Sequence, residues 1–404
     1  MEIRGKHSIA KVFTDDIEPG AIEQIKKLLD QDFIEGSKVR IMPDVHQGVG
    51  CVIGFTAEMG DKVIPNIVGV DLGCGMLTVE LGDINIDLPN LDDIIRNYVP
   101  SGRDVHKERK YRFEGLDKLY CYRDLKDTKR IERSLGSLGG GNHFIEVGKD
   151  SKDNKYLIIH SGSRNLGKQI AEIYQKLAID LCSGKEEFFK KKEELIKSYK
   201  ELGKAREVNK ALSKLKKEYK DLEPMYPKDL CYLTGEYREK YLHDMKLAQE
   251  YAIKNREIMA DIILRNLFGL GLEEFSYFHT VHNYINFRDN IIRKGAISAY
   301  EDEKLLIPIN MRDGSILAKG KGNQEWNYSA PHGAGRLKSR KDAKEAFNIE
   351  DFKKSMEGIY TTSINESTLD ESPFAYKSMD KILSNIEDTV EIIDYIKPIY
   401  NYKA

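Results

Sequence analysis

The chain has 404 residues, 40% hydrophobic and 32% charged, enough apolar material for one large core or two modest domains. Its 64 Lys+Arg nearly cancel its 66 Asp+Glu, so no global basic signature marks a nucleic-acid binder and any such contact falls to a local patch. The start, MEIRGKHSIAKVF, has no apolar signal-like core and no stretch reaches bilayer-spanning length, so a soluble cytoplasmic protein with no membrane partner is expected.

In chain order, the first 180 residues repeat a short β-rich apolar run followed by a glycine-rich turn. Examples are KVRIMPDVHQGVG (38–50), PNIVGVDLGCG (65–75), GGGNHFIEV (139–147) and YLIIHSGSR (156–164). Such runs read as strands feeding loops, which gathers the polar residues at strand ends. From 185 to 222 the composition turns to charged helix. Leu195, Tyr199, Leu202, Val208, Leu212, Leu215, Tyr219 and Leu222 fall mostly at spacings of four and three, a narrow apolar seam. The pattern predicts an antiparallel helical hairpin, hinged at Gly203 and ended by Pro224 and Pro227, with its lysines on a solvated face.

A broader apolar face predicts a core-packing helix over about 237–268. Mixed strands follow to residue 340, then helix-prone RKDAKEAFNIEDFKKSMEG, and a final helix is expected around 378–393 (MDKILSNIEDTVEIID). The fold class expected is α/β in the α+β sense: one catalytic domain over 1–404 with mixed sheets, and the hairpin of 185–225 inserted within it.

Five scattered cysteines are poor material for disulfides, and one can serve as a metal ligand instead. Asp71 and Cys74 sit in VDLGCG, where Gly73 and Gly75 let the chain curl back. A carboxylate and a thiolate at one point suit Mn²⁺, Zn²⁺, Fe²⁺ or Co²⁺ better than Mg²⁺ or Ca²⁺, although a cysteine after a buried strand is more often a small core residue. His143, His160 and His282, three of only nine histidines, occupy similar strand–loop contexts. Together with Asp71 and Cys74 they favour a metal centre. Asn142, Glu146, Arg164, the Ser161-Gly162-Ser163 loop and Asn283 adjoin them and suit a nucleotide, its base read by a carboxylate and its phosphates by N–H groups and Arg. No Walker pattern or dinucleotide fingerprint is present. In SAPHGAGR (329–336), His332 is either a polar turn residue or a nucleophile or ligand at a phosphate site, with Arg336 pairing a phosphate.

MPDVHQGVG, VGVDLGCGM, LGGGNHFIEV, HSGSRNLG, HNY, RKGAISA, SAPHGAGR and the terminal YKA resemble, in this order, the motifs of the RtcB family of RNA-splicing ligases, from about residue 38 onward. The resemblance implies an α/β fold that holds two Mn²⁺ and a histidine, His332, that accepts GMP from GTP. It implies Asp71, Cys74, His143, His160 and His282 as metal ligands. Around GMP it implies Asn142, His143, Phe144, Ile145, Glu146, His282, Asn283, Pro308, Met311 and Ser315, then His332, Gly333, Ala334, Gly335, Tyr376 and Lys403, with Glu146 reading guanine. Asp44, His46, Arg164, Lys294 and Arg336 are implied on the RNA side. The implied reaction joins an RNA 3′-phosphate or 2′,3′-cyclic phosphate to a 5′-hydroxyl through His–GMP and an RNA-ppG end, in RNA repair or tRNA splicing, by a monomer; the need for an accessory activator stays open. Where the family carries Pro-Gly-Ser-Met, this chain reads PINMRDGS (308–315), and its charged hairpin is longer than in compact members. Two other readings remain: a metal-dependent RNA-end phosphoesterase without guanylylation, and a non-catalytic RNA-end or nucleotide-binding module.

Overall fold

The computed structural model describes residues 1–58, 60–203, 207–219 and 222–403. The chain begins with strands β1 (Glu2–Arg4) and β2 (Ile9–Val12), helix α1 (Pro19–Leu29), and strands β3 (Val39–His46) and β4 (Ile53–Glu58). A single turn α2 (Pro65–Val68) precedes β5 (Gly75–Gly82), α3 (Leu88–Tyr98) and α4 (Thr128–Ser134). The hairpin β6 (Phe144–Lys149) and β7 (Lys155–Ser161) leads into α5 (Arg164–Cys182), α6 (Glu186–Glu201), α7 (Val208–Glu218) and the long α8 (Gly235–Phe268). Next come β8 (Ser276–Val281), β9 (Asn283–Asn286), β10 (Ile291–Lys294) and β11 (Ala296–Ser298). They are followed by β12 (Lys304–Asn310), β13 (Gly314–Gly320), β14 (Ser329–Pro331), α9 (Arg340–Ala346), α10 (Ile349–Ser355), α11 (Met379–Leu383) and β15 (Val390–Lys403).

The strands form a mixed six-stranded sheet, β1-β2-β3-β4-β10-β9, a two-stranded ladder β11-β14, and a seven-stranded sheet β12-β13-β15-β6-β7-β5-β8. Among the described strands only β2 and β3 pair in parallel. The fold is α/β with mixed and antiparallel sheets, as its residue patterns lead one to expect.

Period-two alternation in the larger sheet decides what reaches the site. Leu77 and Val79 of β5, Ile145 and Val147 of β6, and Leu157 and Ile159 of β7 share a core with Leu91 and Ile95 of α3 and Met259, Ile263 and Leu264 of α8. The intervening residues face the other way. Residues directly opposite across a ladder share a face, and the register pairs Phe144 with His160, Glu146 with Ile158, Asn401 with Glu146, and Lys403 with Phe144. Four polar side chains are thus aligned on the face that α8 leaves open.

Two expected elements differ. PNIVGVDLGCG is a helical turn and a loop rather than a strand: Pro65 occupies the first helical position, where its missing N–H costs nothing, and Gly69 at φ 107° ends the turn before β5. The helix expected around 378–393 stops at Leu383. Ile382, Ile386 and Val390, four residues apart, bury in one cluster. From Val390 the β-branched and aromatic run VEIIDYI instead fills the gap between β13 and β6, so tertiary pairing overrides the local pattern. The segment 340–358 is two short helices broken at Phe347.

The charged segment folds as α6 and α7, which pack together, with Phe188 against Tyr219 at 5.6 Å. Leu215 is buried in the seam, and Leu202 stands exposed at its end. Residues 204–206 and 220–221 of the expected hairpin lie outside the described residues. Among the described residues no helix is long and apolar enough to cross a membrane.

Candidate active site

Asp71 and Cys74 lie on the loop before β5, His143 just before β6, His160 on β7, and His282 between β8 and β9. Cys74 Sγ stands 3.4 Å from both His143 Nε2 and His160 Nε2. His160 Nε2 is 3.4 Å from His282 Nε2, and His143 Nε2 is 3.1 Å from Asp71 Oδ2. Two overlapping triads, Cys74–His160–His282 and Asp71–Cys74–His143, each gather their donor atoms within 4.8 Å of one another.

The outer nitrogens orient these rings. His143 Nδ1 donates to Leu138 O at 2.9 Å and His160 Nδ1 to Asn142 O at 3.1 Å, which leaves the Nε2 lone pairs aimed inward, the arrangement that metal-ligating histidines use. Burial, with neighbouring histidines second, pulls His160 well below the ordinary imidazole range. Burial and the His332 ring do the same to His282. Both are neutral and able to ligate. Burial and the Asp71 charge push the Cys74 thiol up. Burial opposes ionisation of Asp71, yet its hydrogen bond with His143 brings the net below the usual carboxylate value. One sulfur, three imidazole nitrogens and one carboxylate suit borderline divalent transition metals, and a cation among them favours the thiolate.

His332 follows β14 and packs edge-on to His282, ring centroids 4.8 Å apart. Its Nδ1 lies 2.6 Å from Oδ2 of the fully buried Asp44 on β3, which also accepts the His332 backbone N–H at 3.1 Å. Gly335, at φ 74°, passes so close to β3 that a Cβ would meet Asp44 O at 2.4 Å; only glycine fits.

A cavity of about 760 Å³ opens over these groups between the sheets. Glu146 is buried in its wall, accepts from Asn401 Nδ2 at 2.9 Å, and is pushed up to about 8 by burial. Glu146 Oε1, Asn401 Oδ1 and Ser315 Oγ are buried there without a protein partner. Opposite, Glu371 bonds Lys403, Arg336, Arg340 and Tyr376. Burial opposes its charge, but Lys403, Arg340 and Arg336 hold its carboxyl at about 2.

A model of the RtcB family, described as tRNA-splicing ligase RtcB, matches residues 24–123 and 122–404. The chain belongs to the RtcB family. It is 29% identical over 430 residues to the RNA-splicing ligase RtcB of Escherichia coli (strain K12), covering 96% of this chain and 95% of that protein. It is 25% identical over 474 residues to the tRNA-splicing ligase RtcB of Aeropyrum pernix, covering 92% and 90%.

Of the residues that the RtcB resemblance singles out, Asn142, Phe144, Asn283, Pro308, Met311 and Ser315 line the cavity. So do Gly333, Ala334, Gly335, Arg336, Tyr376, Lys403 and His46. Asp44 and His143 stand behind its wall, and the Ile145 side chain packs into the opposite core. Two basic residues turn elsewhere. Arg164 donates to Ser137 Oγ and Gly102 O, both at 3.0 Å. Lys294 Nζ is buried among the carbonyls of Val49, Cys51 and Asn66, and burial lowers it to about 8. Both cations hold loops together outside the cavity. Sequence reasoning missed Glu371, Arg340 and Asn401; a lone acid in SPF-flanking 3₁₀ turns carries no spacing signal, whereas Asn401 was findable from its alternation with Lys403.

Proposed function

We propose that this protein is an RNA ligase that joins 3′-phosphate or 2′,3′-cyclic phosphate ends to 5′-hydroxyl ends through a guanylylated His332. The observation that carries the reading is the His332–Asp44 pair: with Nδ1 bonded to a buried carboxylate, the imidazole keeps its lone pair on Nε2, at the wall of a cavity shared with the metal-ligating cluster. Membership of the RtcB family and relatives named RNA-splicing and tRNA-splicing ligases support it.

Two Mn²⁺ held by Asp71, Cys74, His143, His160 and His282 would supply Lewis-acid stabilisation of phosphate charge. The remaining roles belong to the chain. The partnerless oxygens Asn401 Oδ1 and Glu146 Oε1, the latter accepting once its carboxyl ionises against the base, with Ser315, suit the N–H edge of guanine, flanked by Asn142, Phe144 and Tyr376. Lys403, Arg336 and the backbone of Gly333–Gly335 suit the ribose and phosphates. His332 Nε2 attacks the α-phosphorus of GTP; the N–P bond forms as the bond to pyrophosphate breaks, and Asp44 compensates the imidazolium. A cyclic RNA end is first opened by water. The 3′-phosphate oxygen then takes GMP from His332, and the 5′-hydroxyl displaces GMP from the activated end. His46 also lines the cavity and suits the RNA end.

Incubation with α-³²P-GTP and Mn²⁺ tests this. An acid-labile, base-stable protein label absent from His332→Ala is expected. Unlabelled wild-type protein that still removes RNA 3′-terminal phosphate would overturn the ligase in favour of the phosphoesterase.

A further inference from the structure

The ligand loops are not held by the two sheets alone. Those that carry Asp71, Cys74, His143 and His160 converge on one turn of α8, at Asn255 and Arg256, both completely buried. Arg256 Nη1 donates to Gly73 O at 2.9 Å, in the loop between Asp71 and Cys74, and to Ser161 O at 2.7 Å, directly after His160. Asn255 Oδ1 accepts from Gly136 N at 2.7 Å and Ser137 N at 3.0 Å, and its Nδ2 donates to Ser137 O, Ser161 Oγ and Gly162 O at 3.0–3.2 Å. Ser161 Oγ in turn donates to Leu138 O at 2.7 Å, the carbonyl that orients His143.

The backbone is cut to fit this turn. A Cβ on Gly73 would meet Gln249 Cα at 2.8 Å, and one on Gly136 would meet Ile258 Cγ2 at 2.6 Å, so both loops lie directly on the helix. Arg256 is the more telling residue. Among the described residues it is a fully buried cation with no carboxylate in ion-pair contact and with Nη2 unpartnered. Burying an uncompensated charge is costly. Its Nε stands 3.5 Å from His279 Nδ1, and the acidic groups that act on its charge are Cys74 and Asp71 of the candidate centre, then Glu257.

We propose that Asn255 and Arg256 are positioning residues for the metal centre, tying three of its four ligand segments to one helical turn and setting a fixed positive charge behind its anionic ligands. The inference rests on the metal reading of the cluster. Neither residue touches the cavity, so each acts through Asp71, Cys74, His143 and His160. Outer groups that orient ligands change metal affinity by about 10- to 100-fold when removed.

The test is Mn²⁺ uptake by the EDTA-stripped full chain, followed by loss of the free-ion EPR signal, for wild type, Cys74→Ser, Arg256→Met, Arg256→Lys and Asn255→Ser. Arg256→Met is expected to weaken uptake by about 10-fold or more while the metal-free protein still melts cooperatively. Arg256→Lys, which keeps the charge and reaches one carbonyl, is expected to recover part of the loss; a purely structural role would give the lysine variant no such advantage at equal melting temperature. Should Arg256→Met fail to fold, Arg256→Lys and Asn255→Ser carry the comparison. Uptake within about threefold of wild type in every foldable variant overturns the inference and leaves the metal reading standing. Wild-type uptake no better than that of Cys74→Ser overturns both, because there is then no centre to position.

Discussion

The 2.6 Å contact between His332 Nδ1 and Asp44 assigns one job to a carboxylate that the cavity never sees. An asparagine there can present its amide N–H, which stabilises the tautomer with Nε2 protonated and the lone pair turned away. Asp44→Asn is therefore expected to slow guanylylation by about 10²-fold or more with the fold intact, measured as the rate of label transfer from GTP. Glu146 gives the pH signature. Burial lifts its carboxyl from 4.5 to about 8, so between those values the folded chain holds a proton that the unfolded chain has released. Its contribution is complete below 4.5 and is lost as pH rises toward 8. Melting curves of nucleotide-free protein should fall less steeply across that window in Glu146→Gln than in wild type. At this scale the residues that cluster were readable in the sequence, because Asp71, Cys74, His143, His160 and His282 recur in similar strand–loop contexts beside Gly, Ser or Asn. Asn255, Arg256 and Glu371 were not readable: each owes its role to partners more than 30 residues away.

Among the elements, α6 and α7 were plain from spacing, since an apolar seam on charged helices needs no tertiary information. They meet α8 through the Phe189–Tyr237 contact, and none of their described residues lines the cavity. Replacing 186–221 by a short Gly-Ser linker is expected to leave Mn²⁺ uptake and guanylylation within about twofold, with the melting temperature lowered by a few degrees; loss of either activity would assign the hairpin to the site. β15 was the opposite case. Its Val390–Ile396 half pairs with β13 and its Lys397–Lys403 half with β6, so its state is decided by two strands far away in sequence. Local spacing held no record of that. The same pairing delivers Asn401 and Lys403 to the cavity.

For the whole molecule, the groups that could hold a metal come from residues 71 to 282 and the proposed nucleophile from residue 332, segments distant in sequence that only the folded chain brings together. An ion that binds the folded chain and not the unfolded one stabilises it by about 2.7 kcal/mol at 100 times its Kd. Calorimetry should accordingly show Mn²⁺ raising the melting temperature of wild-type protein and leaving Cys74→Ser almost unmoved. The 14-residue strand β15 carries a consequence for the order of folding. Bridging strands so remote raises contact order, and closing such loops is slow compared with forming α8 or the α6–α7 pair. Helix α8 is thus available early, while the cavity wall that carries Asn401 and Lys403 is among the last surfaces completed, so a chain caught partway already holds its longest helix but not yet the cavity.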